Sequence, residues 1–493
     1  MDPMQTRQIS VIVKDQPGIL TKVSSLFSQS GLNIDTLTVG KYKEQHTSRM
    51  KISLTTEDNN LEKVLKQLEN LIDVIHVNVI DQNPALNIIG NRLNSIFSNR
   101  TVAFWLVAYS LFITLLGTNI PSPLLAVYRI EWHLSPGMVT LLFAIYAIVV
   151  IPTIIISGQL SDQLGRRKLL IPGVMFSIIG SLFFVLSNNI TMLLISRVFQ
   201  GLSVGMLNGV AVAALTELDK KQNRIKAAFI GAMAVTVGNA LGPILSGFLG
   251  EYAPLPTKLS YLIHILLAVP GFIGLLYMSE KVRPRKTIQL HKPFVPNAIR
   301  GRFYLSGMTS FVAWSIMSLM LSVIPSYTNQ LVGSSNLVIS GAIVALVLII
   351  STVSQLTLKK LPVQSLVLTG YLLLILGLVA LVLTLLTQSL VLLFLTTVLI
   401  GFGHGPTFAG SLALTNNISP DQQRGDIIAS FYVLTYLGVS LPVLGLGFIA
   451  HWIGLNQAIE WYTILMTGMI LLSMYYWFMD RKAEKQVREL TVE

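Results

Sequence analysis

Apolar positions are distributed in two different ways along this chain. As far as Asp81 they come in short alternations and helical stripes. From Val102 onward they come in runs long enough to cross a bilayer, for which about 20 residues suffice. In the first block "RQISVIV" and "SRMKISLTT" read as strands, with Met50, Ile52 and Leu54 alternating in the second. Ile19, Leu20, Val23, Leu26 and Phe27 share one helical face, and Leu61, Val64, Leu65 and Leu68 share another. "LIDVIHVNVI" supplies a closing strand with Ile75, Val77 and Val79 on one side. The expected order over residues 1–81 is strand, helix, strand, strand, helix, strand, a ferredoxin-like split βαβ arrangement.

The second block holds twelve apolar runs, starting near Val102, Pro136, Leu169, Ile190, Ala227, Leu259, Phe303, Leu337, Pro362, Leu390, Ile427 and Ala458. Residues 280–302 form a long basic loop that splits them into six (102–279) and six (303–479), as in transporters built from repeats, with a tail at 480–493. Residues 82–101 join the two blocks. Leu86, Ile89, Leu93 and Ile96 recur there at helical spacing, which suits either a helix lying on the membrane surface or a plain linker.

Charge fixes the expected orientation. Residues 1–100 carry 11 Lys+Arg against 10 Asp+Glu, so nearly all of the net +12 lies in the membrane block. There it falls in alternate loops: Arg166, Arg167 and Lys168; Lys220, Lys221 and Arg224; the 280–302 loop; Lys359 and Lys360; Arg424; and the tail. The opposite loops hold only Arg129 and Lys258. The positive-inside rule puts both ends in the cytoplasm of a multi-pass protein of the cell (inner or plasma) membrane. Charges spread over loops are not the footprint of a nucleic-acid binder. No cysteine is present, which excludes disulfides, thiolate metal sites and cysteine nucleophiles. "MDPMQTRQIS" has no basic region followed by an apolar core, so no cleavable signal peptide is expected. With no G-x-x-x-x-G-K-[ST] loop and no catalytic constellation, neither ATP-driven pumping, nor a cofactor, nor enzymatic activity is expected.

Three stretches of the membrane block carry candidate chemistry. "GQLSDQLGRRKLL" lies between the second and third runs. In it Gly158 permits close helix approach, Asp162 can pair or cap, Gly165 allows a tight turn, and Arg166 and Arg167 can meet carboxylates or helix C-termini. "RVFQGLSVG" puts Arg197 and Gln200 inside the fourth run, where a charge is costly and marks function by default. "GNALGPILSGFLG" in the fifth has Gly238, Gly242 and Gly247 for backbone-to-backbone packing and Pro243 for a bend.

Together, in this order, these stretches resemble the motifs of the major facilitator superfamily over residues 101–480, and the Gly-Pro stretch is similar to that of its drug/proton antiporters. The resemblance implies a twelve-helix, six-plus-six fold and a secondary active transporter exporting a small molecule with protons. It also implies a gating latch of Asp162, Arg166 and Arg167, an Arg197 that tunes proton transfer, and a fifth-helix seam shaped by Gly242 and Pro243. At the matching place in the second half, "SQLTLKKLPVQ" has no aspartate.

No acid stands mid-run: Glu217, Glu251, Asp426 and Glu460 lie near run ends. Coupling candidates are therefore Arg197, Asp426 and His404 in "GFGHGPTFAG", the last titratable near neutral pH and equally readable as a packing residue, with His264 behind them. Asn119, with Pro121 and Pro123, breaks the first run near its outer end, and Tyr432 and Tyr436 lie one turn apart. These are candidates for the substrate path, the tyrosines also for plain core packing.

In the first block "DQPGILTKVSSLFSQSGLNIDTLTV" puts Asp15 at or beside a helix N-cap and Pro17 in its first turn, with Gly18 leaving room for a ligand or second chain near the helix amides. With "TSRMKISL" and "LIDVIHVNVI", residues 5–81 resemble the ACT domain of the acetolactate synthase small regulatory subunit. That implies pairing of two copies through their sheets and a branched-chain amino acid at the dimer interface. Gly18, Ile19 and Leu20 would contact it, with Asn33 and Ile34 opposite and Asp15 where some members have Asn. The expected function is transport under the control of an amino-acid-sensing domain. The alternatives are an acetolactate synthase regulatory subunit, binding the large subunit, fused to a permease, and a fusion whose halves act independently.

Overall fold

The computed structural model describes residues 5–42, 46–56, 58–80, 96–97, 99–219, 221, 223–278, 294–332, 336–420 and 423–490, and the junction sequence 82–95 lies outside them. The chain divides into two compact units, Met1–Ser95 and Ile96–Glu493.

The first unit runs β1 (Gln5–Lys14), α1 (Ile19–Gln29), β2 (Ile34–Lys41), β3 (Thr47–Thr56), α2 (Asp58–Glu69) and β4 (Val74–Ile80). Its antiparallel sheet has the order β2-β3-β1-β4. Register explains the core: Ile9 faces Ile52 and Val11 faces Met50, so the alternating apolar residues of both central strands share one side. Onto that side pack Ile19, Val23 and Phe27 of α1 and Leu61, Val64 and Leu68 of α2.

Three details differ from the sequence pattern. Gly18 is the N-cap of α1, in a left-handed conformation (φ 88°), whereas Asp15 lies before the turn and accepts a hydrogen bond from Ser48 Oγ at 3.0 Å. Leu20, on the apolar stripe of α1, is 42% exposed. Among the described side chains of β4 only Val77 is buried, with Ile75 and Val79 exposed. β4 is an edge strand, and a register shift between Ile12 and Val13 takes Ile75 out of the ladder.

The second unit contains, among the described residues, twelve helices long and apolar enough to cross a membrane. Span 1 is broken into Arg100–Asn119 and Pro121–Glu131. Spans 2 to 6 are Pro136–Leu164, Arg167–Leu186, Ile190–Leu218, Arg224–Tyr252 and Leu259–Tyr277. Span 7 is Arg300–Ser322 with a continuation over Ile324–Val332. Spans 8 to 12 are Leu337–Leu358, Val363–Thr387, Leu390–Ile418, Arg424–Ile453 and Leu455–Leu490. We call the end of the bundle at Arg100 the near end and the opposite one the far end.

Spans 1–6 pack among themselves, as do spans 7–12, and the two sets meet where span 2 lies on span 11 and span 5 on span 8. The halves repeat each other. Span 7 breaks before Pro325 as span 1 breaks before Pro121. Gly201 and Gly205 of span 4 sit against span 2 at Tyr146, Val149 and Thr153. Gly401 and Gly405 of span 10 sit likewise against span 8 at Val347, Ile350 and Ser351.

Candidate functional site

The break in span 1 creates acceptors that the first half uses. Pro121 has no N–H, so the Gly117 carbonyl four residues earlier loses its helical donor. Gln200 Nε2 of span 4 takes its place at 3.0 Å. Beside it Arg197, 1% exposed, donates from Nε to Leu142 O at 2.7 Å. Its Nη1 donates to Thr118 O at 3.0 Å and Gln200 Oε1 at 2.8 Å. One guanidinium thus bolts spans 1, 2 and 4 together through carbonyls, and it stacks over the Tyr146 ring at 5.1 Å. Asn119, also at the break, donates from Nδ2 to Asn239 Oδ1 of span 5 at 2.7 Å.

The second half has a buried centre of a different kind. His404 of span 10, 3% exposed, contacts Ser351 Oγ of span 8 through Nδ1 at 2.8 Å. Its Nε2 is buried with no hydrogen-bond partner, and so is Nε1 of Trp314 on span 7. The two rings meet edge to face, centroids 4.9 Å apart. His264 of span 6 contrasts with this: Nε2 faces the Ile113 carbonyl at 3.1 Å and Nδ1 faces Ser181 Oγ at 2.8 Å. A carbonyl only accepts, so the proton sits on Nε2, and His264 is a satisfied packing residue against Gly117.

A chain of rings and then an apolar patch lie between the two centres. From His404 the rings continue through Phe408, Phe431 and Tyr432, with successive centroids 6.0, 6.3 and 5.8 Å apart. Tyr432 and Tyr436 of span 11 pack on Val150, Ile154 and Val204, the patch that also holds Tyr146. Tyr146 in turn lies under Arg197. Across this seam Asn208 Nδ2 donates to Tyr436 OH at 3.2 Å, and Thr352 Oγ1 of span 8 donates to Thr236 Oγ1 of span 5 at 3.2 Å. Both tyrosines pack across the seam, and the Tyr436 hydroxyl accepts the Asn208 amide there.

The Gly-Pro stretch of span 5 has two faces. A Cβ on Gly238 or Gly242 would lie 2.4 Å from the carbonyls of Phe112 and Leu116 on span 1. Gly247 and Pro243 instead approach Leu337 and Gly341 of span 8, closing the far end between the halves. There Glu251 reaches across to accept from Leu337 N at 2.8 Å, capping span 8.

At the near end, span 2 stops at Gly165, whose φ of 104° and ψ of 153° suit glycine alone. Arg166 bridges to Glu217 of span 4 at 3.1 Å and donates to Ser161 Oγ at 2.6 Å. Arg167 donates to Leu275 O at 3.0 Å and also to Leu276 O, covering the carbonyl end of span 6. These contacts lie within the first half. Gly158 faces open space, and the Asp162 side chain is outside the described residues. Asp426 occupies the first turn of span 11, well away from mid-span. Trp314, Asn208, Thr236 and Thr352 complete the arrangement without standing out in the sequence, and Glu251, marked there only as an acid near a run end, links the halves. The signal in the sequence that could have found spans 4 and 10 as counterparts is the Gly-x-x-x-Gly that recurs at 201–205 and 401–405.

The model of the Major Facilitator Superfamily matches residues 107–442 and 362–492, and that of the AHAS small subunit-like ACT domain matches residues 9–76. An acetolactate synthase small subunit of Mycolicibacterium smegmatis is 49% identical over 72 residues, 15% of this chain and 42% of that protein. Multidrug resistance protein 1 of Bacillus subtilis is 26% identical over 177 residues, 36% of this chain and 46% of that protein. In both cases the chain spans less than half the length of the relative. A crystal structure of a bacterial homolog to the human lysosomal transporter Spinster, inward-facing and unoccupied, has the same fold. It superposes with a TM-score of 0.60 at 16% identity, covering 78% of this chain and 98% of that one. The chain belongs to the major facilitator superfamily, with twelve helices fit to cross a membrane preceded by a domain similar to the ACT domain of the acetolactate synthase small subunit.

Proposed function

We propose that the membrane unit exports small molecules across the cell membrane in exchange for protons, with both termini and the near end in the cytoplasm. The observation that carries this is the pair of buried polar centres, Arg197 in one half and His404–Trp314 in the other, with aromatic rings and an apolar patch between them. A solute held between the halves would meet a fixed cation on one side and a titratable imidazole on the other. Rocking about the seam would then trade the far-end contacts of Gly247 and Glu251 for near-end ones. Arg166 and Arg167 would keep the near end of the first half rigid while it moves. Resemblance to proteins named for multidrug resistance supports export of lipophilic compounds. His404 is favoured over Asp426 as the proton carrier, because the imidazole is buried in the seam region while Asp426 sits at a helix end.

The test is dye transport by the full chain in proteoliposomes with an imposed pH gradient. Accumulation that follows the gradient and collapses with a protonophore is expected. Transport indifferent to both would end the proton-exchange reading.

A regulatory role for the first unit has its own support. The left-handed Gly18 opens the first turn of α1 without a side chain, and Leu20 beside it is exposed. Leu37 and Val39 on edge strand β2 are exposed as well, a surface suited to pairing two copies through their sheets. A branched-chain amino acid such as valine would sit there and bias transport. Valine, leucine or isoleucine should change the transport rate of the full chain but not of a chain lacking residues 1–81. The 49% identity to a small subunit supports a second reading, regulation of an acetolactate synthase large subunit. Coexpression with that subunit, with loss or gain of valine feedback, decides between them.

A further inference from the structure

Toward the near end, spans 7, 11 and 12 leave between them a groove of about 800 Å³, on the flank away from the bond that Trp477 Nε1 donates to Thr309 Oγ1 at 2.9 Å. Leu305, Met308 and Phe311 form one wall, with Leu434, Met469 and Leu472 opposite. Arg302 and Asp480 stand at its mouth, where Arg302 donates to the carboxylate from Nε at 3.0 Å and Nη2 at 2.8 Å. Both side chains keep surface, 38% and 22% exposed.

The length of the groove and its charges indicate the occupant. From Arg302 to Phe311 a helix rises about 13 Å, and from Asp480 to Met469 about 16 Å. One leaflet of the hydrocarbon core is about 15 Å deep. The groove therefore opens where charged residues begin and ends near mid-bilayer. Its wall serine, Ser473, is engaged by Tyr371 OH at 2.7 Å. The phenols of Tyr304 and Tyr476 also line the groove, and the rest of its walls is apolar. The mouth, by contrast, carries both signs side by side.

We propose that this groove is a phospholipid site, with one acyl chain between spans 7 and 12 and a zwitterionic headgroup on the Arg302–Asp480 pair. The phosphate turns to the guanidinium and a primary ammonium to the carboxylate, whereas a singly anionic headgroup meets the repulsion of Asp480. A seated chain braces the near-end half of span 12 against spans 7 and 11.

The full chain, purified in mild detergent, is examined by native mass spectrometry and lipid extraction after mixing with phosphatidylethanolamine, phosphatidylcholine or phosphatidylglycerol. The expected result is one retained phosphatidylethanolamine per chain, in preference to the other two. Leu472→Trp fills the groove, and denying the lipid even two buried methylenes lowers its affinity about tenfold. Met308→Phe narrows the opposite wall and should act the same way, which guards against misfolding of either variant. Ile464→Trp, on the exposed flank of span 12 outside the groove, should leave retention unchanged. Asp480→Asn should erase the preference among headgroups. Equal retention by parent and both groove variants overturns the proposal. So does a parent that retains no lipid, or one in which a lipophilic dye, rather than lipid, is lost on filling the groove.

Discussion

His404 and Trp314 meet edge to face, centroids 4.9 Å apart and planes at 89°, and each buries a ring nitrogen that has no hydrogen-bond partner. A buried polar group left unsatisfied costs about 1–3 kcal/mol, so this corner of the second half carries a stability cost. The indole N–H only donates, which makes an oxygen acceptor on a transported molecule its natural complement. His404→Phe keeps a ring in the stack with Phe408 and removes the unsatisfied nitrogen, and Ser351 can turn to its own helix carbonyls. The expected outcome is a thermal midpoint unchanged or raised, with dye transport reduced about tenfold, equivalent to about 1.4 kcal/mol in the barrier. A histidine kept only for packing predicts the opposite, lowered stability and unchanged transport.

Arg197 acts as both charge and bolt, and the two roles separate by substitution. Lysine keeps the charge but cannot serve Leu142 O, Thr118 O and Gln200 Oε1 with one ammonium in the fork geometry of a guanidinium. Hydrogen bonds to a charged donor contribute about 1.5–3 kcal/mol each. Arg197→Lys should therefore lower the thermal midpoint of the detergent-solubilised protein and slow transport together. Arg197→Gln should leave the protein at least as destabilised and transport abolished. A lysine variant with parental stability would remove the bolt.

Much of this architecture is legible in the sequence because the membrane leaves few choices. A run of apolar residues must become a helix there, and the basic loops mark its ends. The two strands carrying Ile9, Val11, Met50 and Ile52 were equally plain, since period-two burial fits only one register. What stayed hidden was pairing between distant runs. Trp314 is an unremarked aromatic in span 7 until span 10 brings His404 beside it. Nor does anything local show that Gly117 loses its donor to Pro121 and gains Gln200. Exposure of Ile75 and Val79 is not legible either, because alternation gives the face of a strand, not whether another element covers it.

The glycines of span 5 give a graded series. At Gly242 a methyl would stand 2.4 Å from the Leu116 carbonyl, and at Gly247 it would stand 2.6 Å from that of Leu337; neither backbone can move aside cheaply. Overpacking of this kind costs about 1–3 kcal/mol. Gly242→Ala should destabilise the first half, read as a lower thermal midpoint. Gly247→Ala should act on the seam with span 8, slowing transport more than it lowers stability. Gly209, exposed in span 4 with open space around it, is the control. Alanine there should be neutral or gain up to about 1 kcal/mol of helix propensity.

Asp219, at the end of span 4, pins the turn into span 5. It accepts from Lys226 Nζ at 2.7 Å and from the backbone N–H groups of Lys221 and Asn223 at 3.1 and 3.2 Å. The Lys226 hydrogen bond first, then the Asn223 amide, holds its carboxyl below the ordinary value, with burial opposing them. Since the folded pKa is depressed, unfolded chains bind the proton more readily. The stabilisation is complete above the ordinary carboxyl pKa of about 3.9 and is lost as pH falls through the lower folded value. Asp219→Asn should thus melt below the parent at neutral pH, and the gap should close only under acid conditions. Glu217 makes the comparison: it pairs with Arg166 but is 56% exposed, so Glu217→Gln should cost no more than about 1 kcal/mol. Parallel melting curves for parent and Asp219→Asn across the whole acid range would mean that the carboxylate pins nothing.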